Sequence, residues 1–172
     1  MAALLARLPY AHRLELERRD CAARAASLRG LELLLDGCAC TRGAAPDLAH
    51  LQFPAGGKPQ FAGGPWFSIS HSASRVAVAL SDACEVGIDV EDLAAARGDR
   101  AALERWTAIE AALKAIGAGV RAARRVELAA DLATARLAGQ VAYSRSVLLS
   151  PDTVARLATR QPVQRVLVEE RR

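Results

Sequence analysis

Lysine is almost missing from this 172-residue chain: among 23 basic residues, only Lys58 and Lys114 carry an ammonium group. The rest are arginines, and the two side chains are not interchangeable at tight phosphate sites. The two lysines are candidates for places where a compact positive charge is needed, although an arginine-biased chain can also leave two lysines anywhere. Aromatic residues are also scarce, at 4% of the sequence. That scarcity argues against binding of single-stranded nucleic acid by base stacking. It also leaves Leu, Val and Ala to fill the core that a 52% hydrophobic composition permits. No run of like charges is long enough for a nucleic-acid arm. A formal net charge of +4 suits a polyanionic small ligand or an acidic protein partner equally well.

Other absences narrow the class further. The opening apolar patch, residues 1–9, contains Arg7 and is too short for a signal peptide or a membrane span. Cys21, Cys38, Cys40 and Cys84 form no CxxC pair and have no histidines at zinc-finger spacing. Buried thiols in a reducing compartment are expected, and with them a cytoplasmic protein that uses neither membrane nor nucleic acid. The length suits one compact domain or two small lobes sharing a core. There is no low-complexity segment and no clear internal repeat, although a helix followed by strands occurs twice.

Residues 13–36 read as one long amphipathic helix, with Leu14, Leu28, Leu31 and Leu35 among its apolar positions and Gly37 ending it. Residues 38–65 are broken by Gly and Pro. Short strands follow over 66–70, 75–81 and 84–91, close enough together to suggest an antiparallel meander. Asp99 caps a helix that runs to about residue 118 and is closed by Gly117 and Gly119. Segments 126–132, 135–149 and 163–168 read as further strands, and Ser150-Pro151 opens a short helix.

The most informative run is Gly87-Ile88-Asp89-Val90-Glu91. Its β-branched alternation predicts a strand, which puts Gly87, Asp89 and Glu91 on one face. Carboxylates two residues apart on a strand are roughly 7 Å apart at Cα, within reach of one hard cation. Gly87 beside them leaves room for a ligand. Downstream, the helical i,i+4 spacing puts Glu110 and Lys114 on one face. Three carboxylates and a lysine can thus converge on one metal-phosphate site. Taken singly, the same residues also suit an exposed strand face and a surface ion pair.

Two upstream runs supply phosphate contacts. Phe67-Ser68-Ile69-Ser70-His71-Ser72 leaves a strand for a turn with three hydroxyls and an imidazole, groups that suit phosphate oxygens. Such a turn can equally satisfy its own backbone. Gly56-Gly57-Lys58-Pro59 sets a lysine on a glycine-flanked loop that Pro59 biases toward extended backbone. It is not a P-loop, because the spaced glycine and the following Ser/Thr are missing. His12 and His50 carry no assigned role.

In order, Gly57-Lys58-Pro59, Phe67–Ser72, Gly87–Glu91 and Trp106-x-x-x-Glu110-Ala-x-x-Lys114 resemble the 4′-phosphopantetheinyl transferase superfamily, most of all its larger, pseudo-dimeric branch. The motifs span residues 57–114, and Arg24-x-x-x-Leu28-Arg29 is similar to the basic first-lobe helix. The resemblance implies an α+β fold of two pseudo-symmetric lobes, residues 1–84 and 85–172, each a long helix packed on a small antiparallel sheet. It implies an enzyme that transfers 4′-phosphopantetheine from coenzyme A to a serine of an acyl or peptidyl carrier protein, acting as a monomer with Mg²⁺. Carried over by position, Asp89, Glu91 and Glu110 hold the metal. Lys58, Ser70, His71 and Arg24 contact the nucleotide phosphates, and Lys114 contacts the diphosphate. Asp89, Glu110 and Lys114 then form the catalytic set, with Glu110 taking the serine proton.

Two departures stand out. Ile109 replaces the usual lysine before the helix Glu, and only 14 residues separate Glu91 from Trp106 where the larger branch carries a longer, partner-binding insertion. They motivate an alternative: a catalytically degenerate relative that binds coenzyme A as a regulatory or scaffold module.

Overall fold

The computed structural model describes residues 2–54, 58–96 and 99–171. Three helices open the chain: α1 (Ala2–Ala6), α2 (Tyr10–Glu17) and α3 (Cys21–Arg42). The strands β1 (Leu51–Gln52), β2 (Gln60–Phe61), β3 (Trp66–His71), β4 (Val76–Ser81) and β5 (Val86–Asp92) follow. Helix α4 (Arg100–Ile116) precedes β6 (Glu127–Leu128), β7 (Thr134–Leu137), β8 (Gln140–Ser146) and β9 (Thr153–Thr159). The fold is mixed α+β, and among the described residues every strand pairing is antiparallel. Among the described residues no helix is long and apolar enough to cross a membrane.

The single helix expected over 13–36 is two helices. Asp20 starts a new one, its carboxylate accepting the Ala23 N–H at 2.8 Å. That second helix runs through Gly37 and closes at Gly43, which adopts φ +77°. Gly37 and Gly30 lie two turns apart and face the β3–β4 hairpin. A Cβ on Gly37 would come within 2.6 Å of Leu80 Cδ1, and one on Gly30 within 2.5 Å of Ile69 Cγ2. Close approach, not helix termination, is the task of Gly37.

The expected meander stops after two strands. β3 pairs with β4, but β5 leaves that hairpin and pairs with β9 in a five-stranded sheet of order β5-β9-β8-β7-β6. β9 replaces the strand expected over 163–168, which is irregular, and a turn stands at Ser150-Pro151, the expected helix start. The run 135–149 is a hairpin: Ala138 (φ +49°) and Gly139 (φ +78°) turn β7 into β8. Helix α4 matches its expected cap and end, with Asp99 accepting the Ala102 N–H at 2.9 Å and Gly117 at φ +78°.

Two helices and two sheets stack in layers. Phe67, Ile69, Val78 and Leu80 pack with Leu28, Leu31, Leu34 and Leu35 of α3. The opposite side of the hairpin presents Ala77 and Ala79 to Val86, Ile88, Val90, Ala155 and Leu157 of β5 and β9. The far face of the larger sheet receives Ala111, Ala112 and Ala115 of α4.

Candidate functional site

The site is built on the open edge of β5. One edge of this strand pairs with β9; at the other, backbone groups of Val86, Ile88 and Val90 meet side chains. The Lys58 ammonium donates to the Val86 carbonyl. Ser68 Oγ accepts the Ile88 N–H at 3.1 Å, and Ser70 Oγ accepts the Val90 N–H at 3.4 Å. The Lys114 ammonium donates to the Ile88 carbonyl at 3.1 Å. Three of the four sequence motifs thus meet along one strand edge, the fourth being β5 itself.

Asp89 is at the centre, with 2% of its surface exposed. Its Oδ1 accepts Lys114 Nζ at 2.6 Å and the Ser70 hydroxyl at 2.9 Å, while Lys114 also donates to Ser70 Oγ at 3.1 Å. Its Oδ2 is buried and has no hydrogen-bond partner among the described residues. Glu110 Oε2 lies 3.8 Å from Lys114 Nζ, one helical turn away. Burial pushes the Glu110 carboxyl up from its ordinary value, the Asp89 charge adds to that push, and Lys114 opposes it. Glu91, two residues along the strand, is raised for the same reasons in the same order. The Lys58 ammonium is lowered to about 8, chiefly by burial, with the Lys114 charge also lowering it and Glu85 opposing.

The remaining expected residues divide. His71 ends β3, is exposed, and makes none of these hydrogen bonds. Arg24 reaches Cys21 on its own helix, at 3.8 Å, and no contact joins it to the cluster. Gly56 and Gly57, which flank Lys58 in the motif, lie outside the described residues. The room expected beside Gly87 is taken by α4, since a Cβ there would stand 2.0 Å from the Ala111 carbonyl oxygen. The glycine serves helix packing. Ile109 turns away from the acids and packs with Leu113, Ala122 and Leu137. Ser72, expected to face phosphate, donates to Asp92 at 2.8 Å and so ties the β3–β4 turn to the end of β5.

Arg156 was missed by the sequence reading. It is buried in β9, stands opposite Asp89 in register, and donates to Ser144 Oγ at 3.0 Å and to the Leu132 carbonyl at 2.9 Å. Its only sequence signal is a lone charge within a β-favouring run.

Among the described residues no three His, Cys, Asp or Glu side chains form a ready-made metal group. The fit to a hard cation rests on Asp89 and Glu110. Asp89 offers a buried oxygen with no hydrogen-bond partner among the described residues, and its charge adds to the cost of ionising Glu110. Mg²⁺ commonly takes one or two carboxylates and completes its shell with phosphate and water. Glu91 is close enough for Asp89 to act on it electrostatically. No family model and no curated protein matches the chain.

Proposed function

We propose that the chain is a 4′-phosphopantetheinyl transferase, moving phosphopantetheine from coenzyme A to a serine of an acyl or peptidyl carrier protein. The observation that carries this reading is the convergence of Ser70, Lys114 and Glu110 on Asp89, whose other carboxylate oxygen, Oδ2, is buried without a hydrogen-bond partner among the described residues. Asp89 and Glu110, with Glu91 beside them, hold Mg²⁺, which when bound offsets charge on the diphosphate. The serine oxygen forms a bond to the phosphopantetheine phosphorus, the diphosphate P–O bond breaks, and 3′,5′-ADP departs. Lys114 steadies the negative charge that grows on the leaving group. Glu110, directly or through water, receives the hydroxyl proton.

Lys58, Ser70, His71 and Arg24 complete the nucleotide site in this reading, and the two lobes are residues 1–84 and 85–172. Each half has a helix on an antiparallel sheet, α3 on β3–β4 and α4 on the larger sheet, which supports the pseudo-symmetric arrangement. We place the protein in the cytoplasm, as a monomer. A second reading, a coenzyme A-binding module without turnover, is favoured by Ile109, which packs into an apolar cluster where a charge was expected. Apo carrier protein, coenzyme A and Mg²⁺ are mixed with the chain and the carrier is weighed by mass spectrometry. A gain of one phosphopantetheine supports transfer. Calorimetric binding of coenzyme A with no mass gain on several carriers supports the second reading.

A further inference from the structure

An edge strand presents unpaired backbone groups, which fray or recruit other strands unless something covers them. β5 is such a strand, and it carries two acids of the site, Asp89 and Glu91. Ser68 covers one of its groups, accepting the Ile88 N–H, and is itself only 3% exposed. On the same residue, the Ile88 carbonyl receives Lys114, and the next residue is Asp89. Ser68 makes no hydrogen bond to either charged group. It acts on the backbone that both depend on.

We propose that Ser68 is a positioning residue, anchoring the Gly87–Ile88 peptide and so fixing the backbone at Ile88, whose carbonyl in the next peptide aims the Lys114 ammonium at Asp89; its bearing on turnover rests on the transferase reading. Two observations carry this. The hydroxyl is held in the interior at the Ile88 N–H, because Ser68 is buried and its backbone pairs with Ala79 across the hairpin. Nor can its neighbour substitute for it. A hydroxyl has one donor and two acceptor lone pairs. Ser70 already spends its donor on Asp89 and its acceptors on Lys114 and the Val90 N–H.

The test compares the parent chain with Ser68→Ala and Ser68→Thr. Threonine keeps the hydroxyl on a side chain suited to a strand, so it reports on the hydroxyl even if the alanine variant folds poorly. Carrier loading gives kcat and the KM for coenzyme A, and NMR gives Ile88 amide exchange and the Lys114 side-chain signal. For Ser68→Ala, kcat falls about 10- to 100-fold, the cost of a misplaced group, while KM moves less than about twofold. The Ile88 amide exchanges about tenfold faster once its acceptor is gone. The Lys114 signal shifts, and Ser68→Thr restores all three. Unchanged Ile88 exchange and kcat in Ser68→Ala, or no restoration by threonine, would overturn the proposal. A parent chain that loads no carrier removes the transferase reading alone. In that case the exchange rate and the Lys114 signal decide whether Ser68 positions the pair.

Discussion

The two edges of β5 are closed by different means. Toward β9 the strand joins a backbone ladder running from Val86↔Thr159 to Asp92↔Thr153. Any residues that tolerate extended backbone can form such a ladder. Toward β3 the closure is made by Lys58, Ser68, Lys114 and Ser70, and it needs those side chains. The first edge fixes the strand in its sheet, and the second fixes the charges around Asp89. Stability and chemistry are therefore separable along one strand, and substitutions on either side have different signatures.

The largest effect is expected at Gly87, which pairs with Ala158 in the β9 ladder and sets the distance between β5 and α4. In Gly87→Ala the new methyl meets the Ala111 carbonyl oxygen at 2.0 Å and the Ala115 nitrogen at 2.6 Å, both backbone atoms that cannot step aside. Unfolding in urea should show a loss of about 3 kcal/mol, the upper part of the range for overpacking. Retention of full stability would mean that the helix sits further from the strand than described.

Asp89→Asn attacks the side-chain edge alone. The β9 ladder survives, so the circular dichroism spectrum should not change. Transfer should fall on the order of 100- to 1000-fold, as when one preorganised electrostatic group is removed. Coenzyme A binding, followed by calorimetry, should weaken far less. Parallel losses in both would place Asp89 in ligand binding and not in turnover.

Acid sharpens the same contrast. Glu110 and Glu91 are raised by burial and by Asp89, so the folded chain holds their protons more tightly than the unfolded chain does. The sign follows: their contribution to stability falls as pH rises from the ordinary carboxylate value through the raised one. A bound cation expels those protons, so Mg²⁺ affinity should increase across the same window. Calorimetric titrations at about pH 5 and about pH 7 check this, bracketing the range above an unperturbed carboxylate. Affinity that is flat or falls with pH would remove these acids from the cation site.

Lys58 should give the smallest signal. Burial lowers its ammonium to about 8 from 10.5, so between those values the folded chain binds fewer protons and its stability rises with pH. A polyanion that draws Lys58 off the Val86 carbonyl should restore its proton. Coenzyme A binding near pH 8 would then take up protons, which calorimetry in buffers of different ionisation enthalpy detects. No proton uptake would leave Lys58 as a backbone cap in the bound state too.

Much of the fold was legible where local rules decide. Asp99 and Gly117 bracket α4 as a capping carboxylate and a left-handed glycine should, and the alternation in residues 66–91 marks β3, β4 and β5. The rest depended on distant partners. β9 is buried on both faces with Arg156 in its middle, so neither alternation nor an unbroken apolar run announces it. Gly37 looked like a helix stop because its reason for being glycine is Leu80, far along the chain. In the site, the strand pair and the i,i+4 pair predict that Asp89, Glu91, Glu110 and Lys114 can meet; Lys114 reaches Asp89 and Glu110, while Glu91 is tied to them by charge alone. That Ser68 and Lys58 hold backbone groups was not legible, since nothing local says that β5 has an open edge.

The most direct trial is the mass of an apo carrier protein incubated with coenzyme A and Mg²⁺, with the parent chain or with Asp89→Ala. The account predicts one added phosphopantetheine with the parent chain and none with the variant. A carrier loaded equally by both would contradict it.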